Sequence, residues 1–202
     1  MKVLVADPIA QEGIDLLSKY AQVDVKTKQK PEDIVAIIGD YDAMIVRSQT
    51  TVTADIIKAG KKLQIIGRAG VGVDNIDTNA ASQHGIIVVN APTGNTVSAA
   101  EHAIALMLSL ARNIPQANAS LKSGKWQRAD FMGTEVKGKT LGIVGLGNVG
   151  SEVARRARGL EMKLIGYDPI ISAERAANLQ VELVPLAQLI KESDFITLHI
   201  PL

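Results

Sequence analysis

The segment Thr140-Leu-Gly-Ile-Val-Gly145-Leu-Gly147-Asn-Val-Gly150 constrains the fold of this chain more than any other. An apolar run feeds a G-x-G-x-x-G and a helical stretch follows. A second apolar run, Lys163-Leu-Ile-Gly-Tyr, then ends in Asp168, 18 residues after Gly150. A lone glycine fingerprint is weak evidence, but strand before, helix after and acid at this distance describe the βαβ unit that holds a dinucleotide. Gly145 permits the tight turn, Gly147 lets backbone approach a pyrophosphate, and Gly150 lets the helix pack on the strand. The helix start at Asn148 and Val149 offers free N–H groups and a positive dipole end to that anion. Asp168 stands where a carboxylate accepts hydrogen bonds from the adenosine ribose and repels a 2′-phosphate. Pro169-Ile170 supplies no arginine to hold one. NAD is therefore the expected cofactor, in preference to NADP.

Length and composition narrow the rest. Two hundred and two residues suit one large or two small domains, and a hydrophobic content of 47% is ample for buried cores. Lys+Arg number 22 against Asp+Glu 21, without long single-sign blocks, which argues against nucleic acid or a membrane surface as partner. With no cysteine, disulfides, thiolate chemistry and cysteine-based zinc sites are excluded. No His/Asp/Glu cluster has metal-ligand spacing, so no metal is expected. Met1-Lys2-Val3-Leu4-Val5 enters a strand directly, and the most apolar stretch, Ala99 to Ala111, carries Glu101 and His102. A cytoplasmic protein is expected.

Strand-like runs alternate with helical patterns along the first ninety residues. Strands are expected at Val3–Ala6, Val23–Lys26, Ala43–Arg47, Gln64–Arg68 and Ile86–Asn90. Helices are expected at Ala10–Tyr20, Pro31–Gly39, Ala54–Gly60 and Asp74–His84, with Asp74 as a cap. Ala91-Pro92-Thr93-Gly94-Asn95 is a turn-rich joint. Thr96 to Lys122 reads as helix broken at Pro115, with a capping box from Ser98 to Glu101. The remainder alternates β and α through Phe195–Ile200. The expected fold is α/β in two domains with parallel sheets. A flavodoxin-like substrate domain (1–92) precedes an incomplete Rossmann NAD-binding domain (93–202). A complete Rossmann sheet has about six strands, and this one reads as stopping on the fourth.

Several motifs together resemble one family. They are Val46-Arg47-Ser48-Gln-Thr-Thr-Val-Thr, Gly67-Arg-Ala-Gly70-Val-Gly72-Val-Asp74-Asn75 and Asn90-Ala-Pro-Thr-Gly94-Asn95-Thr96. With them go Ser98-Ala-Ala-Glu101, Gly124-Lys-Trp126, Phe131-Met-Gly-Thr-Glu135, the Gly145 fingerprint and Gly166-Tyr-Asp168-Pro-Ile-Ile. In this order they resemble the NAD-dependent D-isomer-specific 2-hydroxyacid dehydrogenases. The resemblance implies two α/β domains with a cleft between them, and hydride transfer between substrate C2 and the nicotinamide. It also implies a histidine–glutamate pair that moves the hydroxyl proton and an arginine that holds the carboxylate, all three beyond Leu202. His84, His102 and His199 do not occupy that histidine's motif, so the 202-residue chain alone is expected to be inactive.

For the substrate, a phosphorylated 2-hydroxy acid, the resemblance implies contacts from Arg47, Ser48, Gly70, Val71 and Asn95. Arg128 would add charge for a phosphate bound in a neighbouring subunit. For the cofactor it adds Val71 and Ile200, both through main chain or shape, to Gly145, Gly147, Asn148, Val149, Gly150 and Asp168. Helices over 96–124 resemble the segment through which the family dimerises, so a homodimer is expected. Plainer roles stay open: Arg47 and Arg128 as solvated cations, Asn95 as a turn residue, Asp168 as a strand-end turn. A relative acting on another 2-hydroxy acid, or a non-catalytic NAD-sensing module, would carry many of the same motifs.

Overall fold

A computed structural model of the chain describes residues 1–200. It divides into two compact units, Met1–Asn95 and Thr96–Leu202, so the turn-rich joint belongs to the first.

In the first unit β1 (Lys2–Val5), β2 (Gln22–Val25), β3 (Ala43–Val46), β4 (Ile65–Arg68) and β5 (Ile87–Asn90) form one sheet. The order is β2-β1-β3-β4-β5 and every pairing is parallel. This is the flavodoxin-like order, whose switch point lies between β1 and β3. Helices α1 (Gln11–Ser18), α2 (Pro31–Ile37), α3 (Ala54–Ala59) and α4 (Thr78–Gln83) alternate with the strands. Leu4, Met44, Val46 and Ile66 from the strands pack with Ile34, Ile38, Ile56 and Ile57 in a single core. Pro31 sits in the first turn of α2, where its missing N–H costs nothing, and Asp33 accepts from the Lys30 amide at 3.3 Å.

The expected Asp74 cap is corrected. Residues 75–77 are held as a parallel bridge to Val52, whose amide donates to the Asn75 carbonyl at 2.8 Å and whose carbonyl accepts from Asp77 at 3.0 Å. The helix therefore starts only after Asp77, whose carboxylate caps the Ala80 amide at 2.9 Å.

The second unit opens with α5 (Thr96–Ala111) and α6 (Ile114–Lys122), split by Asn113 at φ 52°, with Pro115 in the first turn of α6. The Ser98–Glu101 capping box is also corrected. The helix already begins at Thr96, and Glu101 instead reaches Arg156, 3.2 Å away. Arg156 also pairs with Glu152, whose carboxyl Arg155 and Arg156 together pull down to about 2.

Strands β6 (Thr140–Val144), β7 (Lys163–Tyr167), β8 (Glu182–Leu183) and β9 (Phe195–Leu198) run parallel in the order β8-β7-β6-β9. This is the 3-2-1-4 part of a Rossmann sheet, with its switch point between β6 and β9. Helices α7 (Asn148–Gly159), α8 (Ala173–Asn178) and α9 (Leu186–Glu192) connect them. Among the described residues no helix is long and apolar enough to cross a membrane.

Candidate functional site

Two places in the chain have the geometry of a ligand site, one in each unit. In the second unit β6 delivers the chain to Gly145, whose φ of +91° only glycine adopts readily. A Cβ there would lie 2.6 Å from the His199 carbonyl oxygen, so Gly145 also lets the ends of β6 and β9 come together. Leu146 turns into the core, and Gly147 is the N-cap of the twelve-residue helix α7. At Gly147 the position of a Cβ is open space to 4 Å among the described residues. Gly150 is the opposite case: a Cβ would stand 2.0 Å from the Gly145 carbonyl oxygen. One glycine thus keeps space free in front of the helix start, while the other closes helix onto strand.

Asp168 follows β7 and turns toward this loop. One carboxylate oxygen accepts from the Leu146 amide at 2.8 Å, and the other accepts from Ile170 and Ile171 at 2.8 and 3.1 Å. The Leu146 amide first, then that of Ile170, hold the carboxyl below its ordinary value, so it is ionised at neutral pH. Carboxylate oxygens have further lone pairs beyond these three bonds, which leaves capacity for a sugar hydroxyl. Asn148 is exposed, Val149 is half-buried, and Ile200 is exposed at the end of the β9 segment. His199, half-buried with its Nε2 2.8 Å from the Thr197 hydroxyl, is kept below its ordinary pKa by burial.

In the first unit a depression of about 300 Å³ is lined by Arg47, Ser48, Gly70, Val71 and Asn95. These are five of the six residues expected at the substrate. Arg128 is the sixth and lies in the second unit, exposed in a short 3-10 turn, where it lines a separate depression with Lys125 and Trp126.

Arg68 also lines the first depression, a residue given no role by sequence reasoning. It ends β4, with its side chain 12% exposed. Its Nη1 lies so close to Gly70 that a Cβ there would sit 2.7 Å from it. Glycine at 70 therefore makes room for a guanidinium as well as forming a turn.

The loops around this depression are tied by polar side chains that sequence reasoning passed over. Asp7, 1% exposed, follows β1 and accepts from the amides of Arg47 (2.6 Å), Gln49 (3.2 Å) and Thr50 (3.1 Å) and from the Thr50 hydroxyl (2.6 Å). Burial raises its pKa, but these four donors outweigh burial and leave it lowered. Asn90 at the end of β5 donates to the Val71 carbonyl at 2.5 Å, and the Ala91 amide donates to the Gly70 carbonyl at 2.9 Å. An acid directly after an apolar strand was the visible signal for Asp7; Asn90 had none beyond its place at a strand end.

Comparison with known proteins identifies the family. The family model described as D-isomer specific 2-hydroxyacid dehydrogenase, catalytic domain, matches residues 3–197. The chain is 57% identical over 202 residues to D-3-phosphoglycerate dehydrogenase from Archaeoglobus fulgidus and 59% identical over 200 residues to that of Synechocystis. Those matches take in 100% and 99% of this chain but only 38% and 36% of the relatives. Among solved structures, D-lactate dehydrogenase from Aquifex aeolicus, complexed with NAD and lactic acid, matches with a TM-score of 0.86 at 25% identity. That match covers 100% of this chain and 61% of the other.

Proposed function

Since the chain belongs to the D-isomer-specific 2-hydroxyacid dehydrogenase family, we propose that it serves the NAD-dependent oxidation of D-3-phosphoglycerate to 3-phosphohydroxypyruvate, the first step of serine biosynthesis. The observation that carries the substrate assignment is the pair of arginines, Arg47 and Arg68, lining one depression beside the Gly70–Gly72 loop. Two cations suit an acid that also bears a phosphate, and the loop amides suit a carboxylate. The high identity to phosphoglycerate enzymes points the same way.

NAD, when bound, supplies the acceptor for the substrate hydride. The open space at Gly147 and the N-terminus of α7 fit a pyrophosphate, with Gly145, Asn148, Val149 and Gly150 around it. Asp168 would take the adenosine ribose and, being ionised, disfavour a 2′-phosphate. Val71 and Ile200, both exposed, would contribute shape and main chain. None of His84, His102 and His199 occupies the motif of the family's proton-transfer histidine. The chain's share is then to bind and orient, and turnover by the 202 residues alone is not expected. Ser48 and Asn95 complete the proposed substrate contacts of the depression, and Arg128 would add charge for a phosphate from a neighbouring subunit.

A cytoplasmic homodimer belongs to the same reading. Every residue of α6 is exposed or half-buried, and Trp126 and Met132 beyond it are 80% and 84% exposed, which gives a partner apolar surface to cover. Light scattering should return twice the chain mass; a single-chain mass would remove this element.

Calorimetric titration tests the central reading. NAD should bind more tightly than NADP, and Asp168→Ala should narrow that preference by about tenfold. Equal affinity for the two in the unaltered chain would overturn the cofactor assignment. Phosphoglycerate-dependent NADH formation by the chain would overturn the expectation that these residues only bind and orient.

A further inference from the structure

We propose that Asn75 is a positioning residue that holds Arg47 and Arg68 in register for a phosphorylated ligand; the proposal rests on the substrate reading above. Both donors of its amide and one lone pair of its oxygen are directed at these two residues and the turn that follows Arg47. The side-chain oxygen accepts from Arg68 Nε at 2.9 Å. The nitrogen donates to the Arg47 carbonyl at 2.8 Å and to the Thr50 carbonyl at 2.6 Å. The network fixes the orientation of the amide. Turned over, its NH2 would face the Arg68 N–H and its oxygen would face two carbonyls.

The consequence for each arginine differs. Arg68 is bonded through Nε only to Asn75, and its Nη2 lies 3.9 Å from Asp74, a carboxylate whose side chain is 82% exposed. Asp74 lines the same depression as Arg68, so a ligand anion would have to displace this long ion pair to take the outer nitrogens. Arg47 has its backbone held at both polar groups, the amide by buried Asp7 and the carbonyl by Asn75, while its side chain stays exposed. One residue is pinned by its side chain and the other by its main chain, and Asn75 is common to both. A loop so fixed loses less conformational entropy when a ligand arrives.

The two cations together matter most for a dianion. A ligand without the phosphate needs at most one of them. Loss of Asn75 should therefore lower affinity for the phosphorylated ligand selectively, whereas a merely structural defect would weaken both ligands alike and lower the melting temperature.

Binding of D-3-phosphoglycerate and of D-glycerate to the chain would be measured by calorimetry, for the unaltered protein and for Asn75→Ala, Asn75→Ser and Arg47→Ala. Asn75→Ala should lose about tenfold in phosphoglycerate affinity with D-glycerate little changed, and Asn75→Ser should fall between. An unchanged preference in a variant that melts cooperatively overturns the proposal. So does failure of both Asn75 variants to fold, since Asn75 would then serve the fold itself. The substrate reading fails separately if the unaltered chain shows no preference for phosphoglycerate, or if Arg47→Ala keeps it.

Discussion

The two candidate sites occupy the same place in their respective sheets yet are held by different means. Both lie at the carboxyl ends of parallel strands, in the first unit beyond β3, β4 and β5 and in the second beyond β6 and β7. The second-unit loop is shaped mainly by three glycines within six residues, with one bond from the Leu146 amide to the Asp168 carboxylate. The first-unit loops are held by buried or half-buried polar side chains, Asp7 and Asn75, that reach across the sheet to residues 25 to 43 positions away. A loop whose geometry comes from missing side chains is local and rigid by sterics. One whose geometry comes from side-chain hydrogen bonds depends on those bonds staying formed and on the ionisation of the groups that make them.

Three substitutions would break or sharpen that contrast. The largest effect is expected for Gly150→Ala. A methyl 2.0 Å from the Gly145 carbonyl cannot be accommodated without parting α7 from β6. Stability in urea should fall by about 3 kcal/mol, with NAD binding lost; an unchanged midpoint would mean that the loop is not sterically set.

Asp7→Ala is expected to come next, at about 2 kcal/mol, because its donors lose their acceptor but the Arg47–Thr50 turn is near enough to solvent to recover some hydration. The pH dependence follows from the lowered folded-state pKa. The Asp7 contribution is complete above the ordinary value of 3.8 and is lost as pH falls below it, through the lower folded value. Between neutral pH and 3, the unaltered chain should therefore lose more stability than the variant. Identical slopes would show that Asp7 does not carry the acid sensitivity.

Gly147→Ala should change stability least, by under about 0.5 kcal/mol, since the added methyl enters open space at an ordinary φ of −66°. NAD affinity should nevertheless drop, as the methyl occupies the room left for the pyrophosphate. Undiminished affinity, measured by the same titration, would remove Gly147 from the cofactor site.

The same contrast explains what was visible before the fold was known. The glycine fingerprint, the strand before it and Asp168 after it are close in sequence, and their spacing already implied the turn, the helix and the direction of the loop. The near-complete alternation of strands and helices likewise implied parallel sheets. Asp74 was misassigned because the bridge to Val52, remote in sequence, delays the helix start to Asp77, and Glu101 because its helix already begins at Thr96, upstream of Ser98. Arg68 stood within the Gly67-Arg-Ala-Gly70 motif without a role being read for it: its place in the depression depends on room left by Gly70 and on the hydrogen bond it donates to Asn75.

Sequence alone therefore determined the parts of this protein whose geometry is covalently local: where backbone must bend left-handed, which helix start lies bare, and which acid follows the second strand. Tertiary structure decided which distant polar groups meet. Only when β1, β3 and β4 lie side by side do Asp7, Arg47 and Arg68 with Asn75 share one corner, and only burial there makes their hydrogen bonds hard to replace with water.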